Sequence, residues 1–494
     1  MKLTDEQELI ISGLKDGIDR LNVVALAGTG KTTTLLECAK AMPDTTFLYL
    51  AFNRSIKEEM ERKAFSEGLG NIRIRTQNSF ALSYAKKKGL SGQILNSIPV
   101  KQIVKMLNLK GNDQYLAYPA SKTMQKFCTS SDKHINAYHI PHDVVDGFKS
   151  NIRRYSGASV YAQTQELNRR INKTLKIAQR LFDSLDFDSK LTTHDVYVKL
   201  CQLGYDSIDI DEDIVMVDEF QDSNPVLHSI MEKINARKVV VGDDLQQLYG
   251  WRGARSFNFD SSWKVLNLTK SFRFLPEIAD LTNKLLCHMT DLKIVGHEEA
   301  QNDGTRGVLC RTNMGCLDTA FKLVGNEDFM LCGGVDDESF KLIEDLVSLS
   351  RSETSTIKST DLKGLKNIDQ FYKELEVGLL GQEWDKAINF IERLGGFDQV
   401  LPKINEVKKC QKKSRESIMI TTVHKAKGQS IGSVHLHDDI ESMFYSNEKI
   451  EGGKSERTPI AFKDAAQAEQ AVLYVAVTRA CTNINLGKTK RLFA

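Results

Sequence analysis

Two segments of the chain carry the residue types that phosphate chemistry needs. In the first, Ala25-Leu26-Ala27-Gly28-Thr29-Gly30-Lys31-Thr32 follows the aliphatic run LNVVAL and leads into TTLLECAKAM. Consecutive backbone N–H groups in such a turn wrap phosphate oxygens, and a helix N-terminus behind them adds positive potential. Gly28 and Gly30 let the backbone approach without a Cβ. Lys31 suits the β- and γ-phosphates and Thr32 suits Mg2+, with Ala27, Thr29 and Thr33 completing the cradle. The usual pattern of such loops begins with glycine; Ala25 holds that place here. The second segment is Ile214-Val215-Met216-Val217-Asp218-Glu219-Phe220-Gln221-Asp222. A carboxylate ending a buried parallel strand beside a phosphate loop can hold Mg2+ through water, which assigns Asp218. Glu219 can then polarise the attacking water as general base. Alone, such an acidic cluster more often caps a helix or lines a solvated turn. Paired with the loop at Lys31, it points to hydrolysis of a nucleoside triphosphate and leaves open what the hydrolysis drives.

Both segments need buried strands to present them. Short β-branched or aliphatic runs alternate with helical stretches: LNVVAL from Leu21, TTFLYLAF from Thr45, NIRIRT from Asn71, IVMVD from Ile214 and KVVVGDD from Lys238. KVLNL from Lys264, GVLCRT from Gly307, IMITTV from Ile418 and SVHLH from Ser433 follow. Continuous apolar strands between helices predict parallel sheets covered on both faces. They fall into two groups, before and after about residue 262, and so predict two α/β cores. A polar, helical stretch from Lys86 to Asp188 and a second from Ser350 to Ser414 read as insertions. The second ends in the basic run KKCQKKSR, which is read as a solvated face before a duplex contact.

Composition bounds the rest. The 494 residues are 41% hydrophobic, 27% charged and 8% aromatic, which excludes a largely disordered or fibrous chain. Lys plus Arg total 67 against 65 Asp plus Glu, so any nucleic-acid site must be a local groove rather than a global field. Nine cysteines without a CxxC pair read as reduced thiols of a cytosol-like compartment. No apolar run is long enough for a membrane span, and MKLTDEQELI has no signal-like core. The expected location is cytoplasmic.

After the strand from Lys238 comes Gly242-Asp243-Asp244-Leu245-Gln246-Gln247-Leu248-Tyr249-Gly250-Trp251-Arg252-Gly253-Ala254. With VDEFQD upstream, this segment resembles the superfamily 1 DNA helicases, the branch that includes UvrD, Rep, PcrA and the F-box helicase. The resemblance covers nearly the whole chain, with the motifs in family order. It implies an α/β fold of two RecA-like parallel-sheet cores of the P-loop NTPase class, each with an inserted, mainly helical subdomain. The implied division is core 1A at 1–85 and 189–262, subdomain 1B at 86–188, core 2A at 263–349 and 415–494, and a short subdomain 2B at 350–414.

The same resemblance implies roles. Gln7 would read adenine, and Phe272 in LTKSFRF would stack on it. Gln246 would sense the γ-phosphate, with Arg273 and Arg479 (the latter in LYVAVTRA) as the two arginines that grip it. The guanidinium suits that task through its permanent charge and its fork. Phe52 and Asn53 in LAFNRSIKEEM, Asn78 and Phe80 in TQNSF, Tyr249, Trp251, Arg252, and Thr422, His424 and Lys425 in TTVHKAKGQ would contact DNA. Aromatic faces stack on any base, so such a grip tolerates sequence; core packing is the alternative for Phe52 and Tyr249. The implied cofactors are ATP and Mg2+. The implied partner is single-stranded DNA, with ss/ds DNA junctions and replication or recombination proteins beside it. The implied movement is 3′ to 5′. The chain departs from the family in Asn78, where His is usual, and in Gln429-Ser430, where Leu-Glu is usual. The short second insertion keeps one alternative open, a single-strand-stimulated ATPase that strips proteins with little unwinding. A non-catalytic DNA-binding scaffold is an alternative of another class, against which the intact Lys31, Thr32, Asp218, Glu219, Arg273 and Arg479 argue.

Overall fold

A computed structural model of the chain describes residues 2–155, 159–248, 250, 253, 256–301, 303–333, 335–359, 362–376, 380, 382–449 and 455–493. Its strands, in chain order, are β1 Arg20–Ala25, β2 Phe47–Ala51, β3 Ile72–Thr76, β4 Gln93–Leu95, β5 Leu191–Thr193, β6 Ile208–Val217, β7 Ile234–Gly242 and β8 Lys264–Leu268. Then come β9 Arg306–Cys310, β10 Phe329–Leu331, β11 Ile418–Thr422, β12 Ile431–Leu436, β13 Tyr445–Lys449, β14 Ser455–Pro459 and β15 Ala480–Asn485.

Among the described residues, six strands form a parallel sheet in the order β3-β2-β6-β7-β1-β8. Side chains alternate across it. Val23, Phe47, Tyr49 and Met216 enter one core, while Leu48, Leu50, Val215 and Val217 enter the other. Both faces are therefore covered, which is why these strands read as unbroken apolar runs. Parallel pairing of Val24 with Gly242 and of Val217 with Val240 brings the ends of β1, β6 and β7 to one edge of the sheet. That edge carries both phosphate-chemistry segments.

The second parallel sheet runs β10-β11-β9-β12-β15 among the described residues. Leu309, Ile431 and Leu436 enter one core; Cys310, Phe329 and Ile420 enter the other. The two-sheet α/β architecture expected from the strand pattern is present. One assignment changes: KVLNL, grouped with the later strands, pairs with β1 and closes the first sheet. Its pattern, largely exposed and ending in buried Leu268, is that of an edge strand, and hydropathy does not name the sheet an edge strand joins. The edge strand β15 and the three-residue β10 went unread for the same lack of a long apolar run.

In the first helical stretch, helices Ala117–Thr129, His142–Tyr155 and Val160–Asp183 pack on the core shared with Leu48 and Leu50. The short parallel pair β4–β5 joins the two ends of the stretch. In the second, helices Val335–Ser350, Gln382–Arg393 and Phe397–Cys410 bury Leu346, Trp384 and Ile404 in the same core as Phe329 and Ile420 of the second sheet. No helix among the described residues is long and apolar enough to cross a membrane.

Candidate nucleotide site between the two sheets

The loop between β1 and helix Lys31–Ala41 turns on two glycines in the left-handed region, Gly28 at φ +74° and Gly30 at φ +82°. A Cβ on Gly28 would sit 2.6 Å from Ser271 Oγ and 2.7 Å from Arg273 Cβ. The Thr29 hydroxyl pins the turn by donating to the Leu26 carbonyl oxygen at 2.8 Å. Gln7 is 3% exposed, accepts from Thr4 N and donates to Thr34 Oγ1 at 2.9 Å. Its amide and the Phe272 ring both lie within 3.6 Å of where a Gly30 Cβ would be. These two side chains therefore flank the loop together.

Asp218 directly follows β6 and is buried. Its Oδ2 accepts from Thr32 Oγ1 at 3.1 Å and from the Tyr49 phenol at 2.5 Å, and its Oδ1 accepts from Glu219 N at 2.8 Å. Glu219 stands at φ +52°, a strained setting for a residue with a side chain, of the kind that functional sites hold. Lys31 Nζ reaches Glu219 Oε1 at 2.9 Å. Burial alone would raise the Glu219 carboxyl, but Lys31 and Lys427 outweigh it and hold it at about 2. Burial and the neighbouring Glu219 push Asp218 upward. Burial lowers Lys31, yet Glu219, Asp218 and Asp243 more than reverse this. A cradle that a Cβ would fill, a lysine, and paired hydroxyl and carboxylate oxygens fit a nucleoside triphosphate with Mg2+, a cation that takes hard oxygen ligands.

Contacts from the second sheet's side close over this edge. Arg479 is 0% exposed and donates to Gln246 Oε1 at 3.1 Å, to Thr478 Oγ1 at 3.0 Å and to the Val475 carbonyl oxygen at 3.0 Å. Arg273 donates to Ser430 Oγ at 3.1 Å and to the Thr478 carbonyl oxygen at 3.2 Å. Burial, and then Arg273 itself, push the Arg479 guanidinium well down. Gln246 donates to Asp243 Oδ2 at 2.6 Å. The residues Lys31, Asp218, Glu219, Gln246, Arg273 and Arg479, scattered from one end of the chain to the other, are thus linked by contacts at one edge of the first sheet.

Sequence reading gave no role to four residues that work here. Tyr474 donates to Asp243 Oδ2 at 3.1 Å and accepts from Ala27 N at 3.1 Å, so it joins the phosphate loop to the second sheet's side. It lies in the buried part, Gln470 to Val477, of helix Gln467–Val477, where an apolar run conceals a polar tip. Lys427 reaches Asp222 Oδ2 at 2.6 Å and the Gln246 carbonyl oxygen at 2.8 Å. Burial raises Asp222 to about 6 even with Lys427 opposing. Tyr49 sits inside a strand that reads as plain core. Lys427 and Asp222 were visible within their motifs, but nothing in the spacing pairs them.

The expected DNA residues are less gathered. Phe52 is half-buried and Asn53 exposed, with Asn53 Oδ1 accepting from Ile56 N at 2.9 Å as a helix cap. Asn78 is exposed. Phe80 is 2% exposed in the core beside Tyr84, with Arg75 over its ring, so it offers a strand no surface. On helix Gln77–Lys87 its direction is set by the core, two positions from outward Asn78. Thr422 is buried at the end of β11, and His424 and Lys425 follow half-buried. Burial, with Arg311 and Lys427 nearby, lowers His424 to about 4. Tyr249, Trp251 and Arg252 lie outside the described residues.

The two parallel sheets with a phosphate loop at their junction define a nucleotide-binding α/β protein of two cores. Sequence comparison then sets the family. The profile described as UvrD/REP helicase N-terminal domain matches residues 4–265, and that described as UvrD-like helicase C-terminal domain matches residues 165–491. The chain belongs to the UvrD-like DNA helicase family. It is 26% identical to F-box DNA helicase 1 of Gallus gallus, over 97% of this chain and 48% of that protein. It is 25% identical to F-box DNA helicase protein 1 of Schizosaccharomyces pombe, over 99% and 57%. A shorter match, 32% identical over 16% of this chain and 12% of the relative, is DNA helicase II of Haemophilus influenzae. The chain spans about half the length of the two F-box helicases.

Proposed function

We propose that this protein is an ATP- and Mg2+-dependent DNA helicase that moves 3′ to 5′ along single-stranded DNA. The observation that carries the reading is the convergence of Arg273 and Arg479 on the edge that bears Lys31, Asp218 and Glu219. The guanidiniums of buried Arg479 and half-buried Arg273 repel each other, and a polyphosphate held beside them relieves that repulsion. In this reading the backbone of Ala27 to Thr33 wraps the phosphates, Lys31 grips the terminal ones, and Gln7 and Phe272 hold the base. Thr32 and Asp218 hold Mg2+, which when bound neutralises phosphate charge. Glu219 orients and deprotonates the attacking water. Gln246 senses the terminal phosphate through its bond to Arg479. Loss of that phosphate removes the anion that joins both sides, so the crevice opens.

The strand is taken up by Phe52, Asn53, Asn78, His424 and Lys425, together with Tyr249, Trp251 and Arg252, while buried Thr422 positions His424 and Lys425 from the end of β11. We divide the chain as expected from sequence, with one shift: β8 assigns residues through Leu268 to the first core. Junctions of single- and double-stranded DNA in replication, repair or recombination are the proposed substrates. A protein-displacing ATPase with little unwinding is the second reading. It is favoured by the packing of the second helical stretch into the second sheet's own core, without a separate core of its own among the described residues.

The test is ATP hydrolysis with single-stranded DNA, with single-stranded RNA and with neither, followed by displacement of strands bearing 3′ or 5′ tails. Strong stimulation by DNA and displacement from 3′ tails are expected. Equal rates with and without DNA would overturn the motor reading. DNA-stimulated hydrolysis surviving Lys31→Ala would overturn the site.

A further inference from the structure

The face of the first sheet that packs under the phosphate loop is lined by Val23, Phe47, Ala51, Ile214 and Met216. One residue breaks this apolar set. Tyr49, 0% exposed, pairs in register with Met216 and sends its ring along the face to the end of β6, where the phenol meets Asp218 Oδ2 at 2.5 Å. A phenylalanine would fill the same volume without a buried hydroxyl to satisfy. The hydroxyl thus needs its own explanation, and Asp218 is the partner it reaches.

The geometry around Asp218 supplies that explanation. Oδ2 already accepts from Thr32 Oγ1 at 3.1 Å as well as from Tyr49, and Oδ1 accepts from Glu219 N at 2.8 Å. A carboxylate oxygen has two acceptor sites, so Oδ2 is fully used while Oδ1 keeps one. Tyr49 and Glu219 N, on opposite oxygens, also stop the carboxylate from turning. Asp218 can then offer a cation, or a water on it, one oxygen rather than a chelating pair. Small Mg2+ keeps its waters and accepts single carboxylate oxygens, whereas larger Ca2+ favours six to eight oxygens and chelating carboxylates.

We propose that Tyr49 is a positioning residue that locks Asp218 into one-oxygen coordination and so makes the nucleotide site select Mg2+ over Ca2+. This rests on the reading of Thr32 and Asp218 as the cation-holding pair. The perturbation is Tyr49→Phe, which removes one oxygen atom and leaves the ring in place. Binding of fluorescent ADP would be titrated, without DNA, in Mg2+, in Ca2+ and in EDTA. For the unsubstituted protein, Mg2+ should strengthen ADP binding more than Ca2+ does. For Tyr49→Phe, affinity in EDTA should stay within about twofold while affinity in Mg2+ falls and affinity in Ca2+ holds or rises, narrowing the preference for Mg2+ about tenfold.

The EDTA titration doubles as the test that the fold survives. Unchanged affinity in Mg2+, or an equal loss in all three conditions, would overturn the role of Tyr49 alone. ADP binding by the unsubstituted protein that is indifferent to Mg2+ would instead overturn the cation site.

Discussion

Replacing Lys427 by methionine removes a charge that crosses from the second sheet's side to the first. Its Nζ lies 2.6 Å from Asp222 Oδ2, with the two side chains 9% and 2% exposed. Unit charges at that spacing attract by about 6 kcal/mol at an effective dielectric constant of about 20. Desolvation offsets much of this in the intact pair. Removal of one partner strands the other, however, and such losses run to about 3–5 kcal/mol. The stranded carboxyl has one escape, which is to take a proton, and burial already raises it to about 6. At pH 8 that escape costs most. There Lys427→Met should shift the balance between joined and parted cores by roughly a hundred- to several-thousand-fold. Below about pH 6 Asp222 takes up a proton in the unsubstituted protein too, so the defect should shrink toward what Lys427 contributes through Glu219 alone. Donor and acceptor dyes on the two cores would read the balance, with DNA-stimulated ATP hydrolysis measured alongside. Adding Asp222→Asn to Lys427→Met should recover much of the loss at pH 8, because no charge is then stranded. A defect below about tenfold at pH 8, or one that is flat from pH 5.5 to 8.5, would refute this account.

Gly28→Ala should cut nucleotide affinity at least about tenfold, since φ +74° and a Cβ 2.6 Å from Ser271 Oγ combine strain with collision; titration with fluorescent ADP measures it. Glu219→Gln should lower the ATP hydrolysis rate by about 10²-fold or more while nucleotide binding stays within a few fold, because the base is lost and the cradle is kept; an equal loss of binding would reassign Glu219 to structure. Stability should fall on acidification. Burial lowers His228 to about 4, and its Nε2 has no partner among the described residues. A histidine depressed in the folded state contributes stability that is present above about pH 6.5 and is lost as pH falls toward 4, about 3 kcal/mol in all. Melting temperatures from pH 7 to 4 should flatten in His228→Leu, and an unchanged slope would place the acid sensitivity elsewhere.

Much of the molecule was legible without coordinates because its signals are local. β2 and the C-terminal halves of β6 and β7 are buried on both faces, and that condition writes itself as runs of Val, Ile and Leu. The phosphate loop is legible because backbone approach demands glycine at fixed places, as at Gly28 and Gly30. Edge strands escape such reading: β8 is mostly exposed, and only pairing with β1 assigns it to the first sheet. Phe80 shows the same limit at one side chain, since its residue type suits either a base or a core and packing chose the core. What tertiary structure alone decided is which distant groups meet. Lys427 beside Asp222, Tyr474 between Ala27 N and Asp243, and Tyr49 beneath Asp218 are contacts across some 200 residues or more in two cases and across two strands in the third. Sequence periodicity records which way a side chain faces its own sheet. The encounter of two sheets, and the reach of one phenol along a shared face, depend on how whole elements are stacked, and no spacing along the chain encodes that.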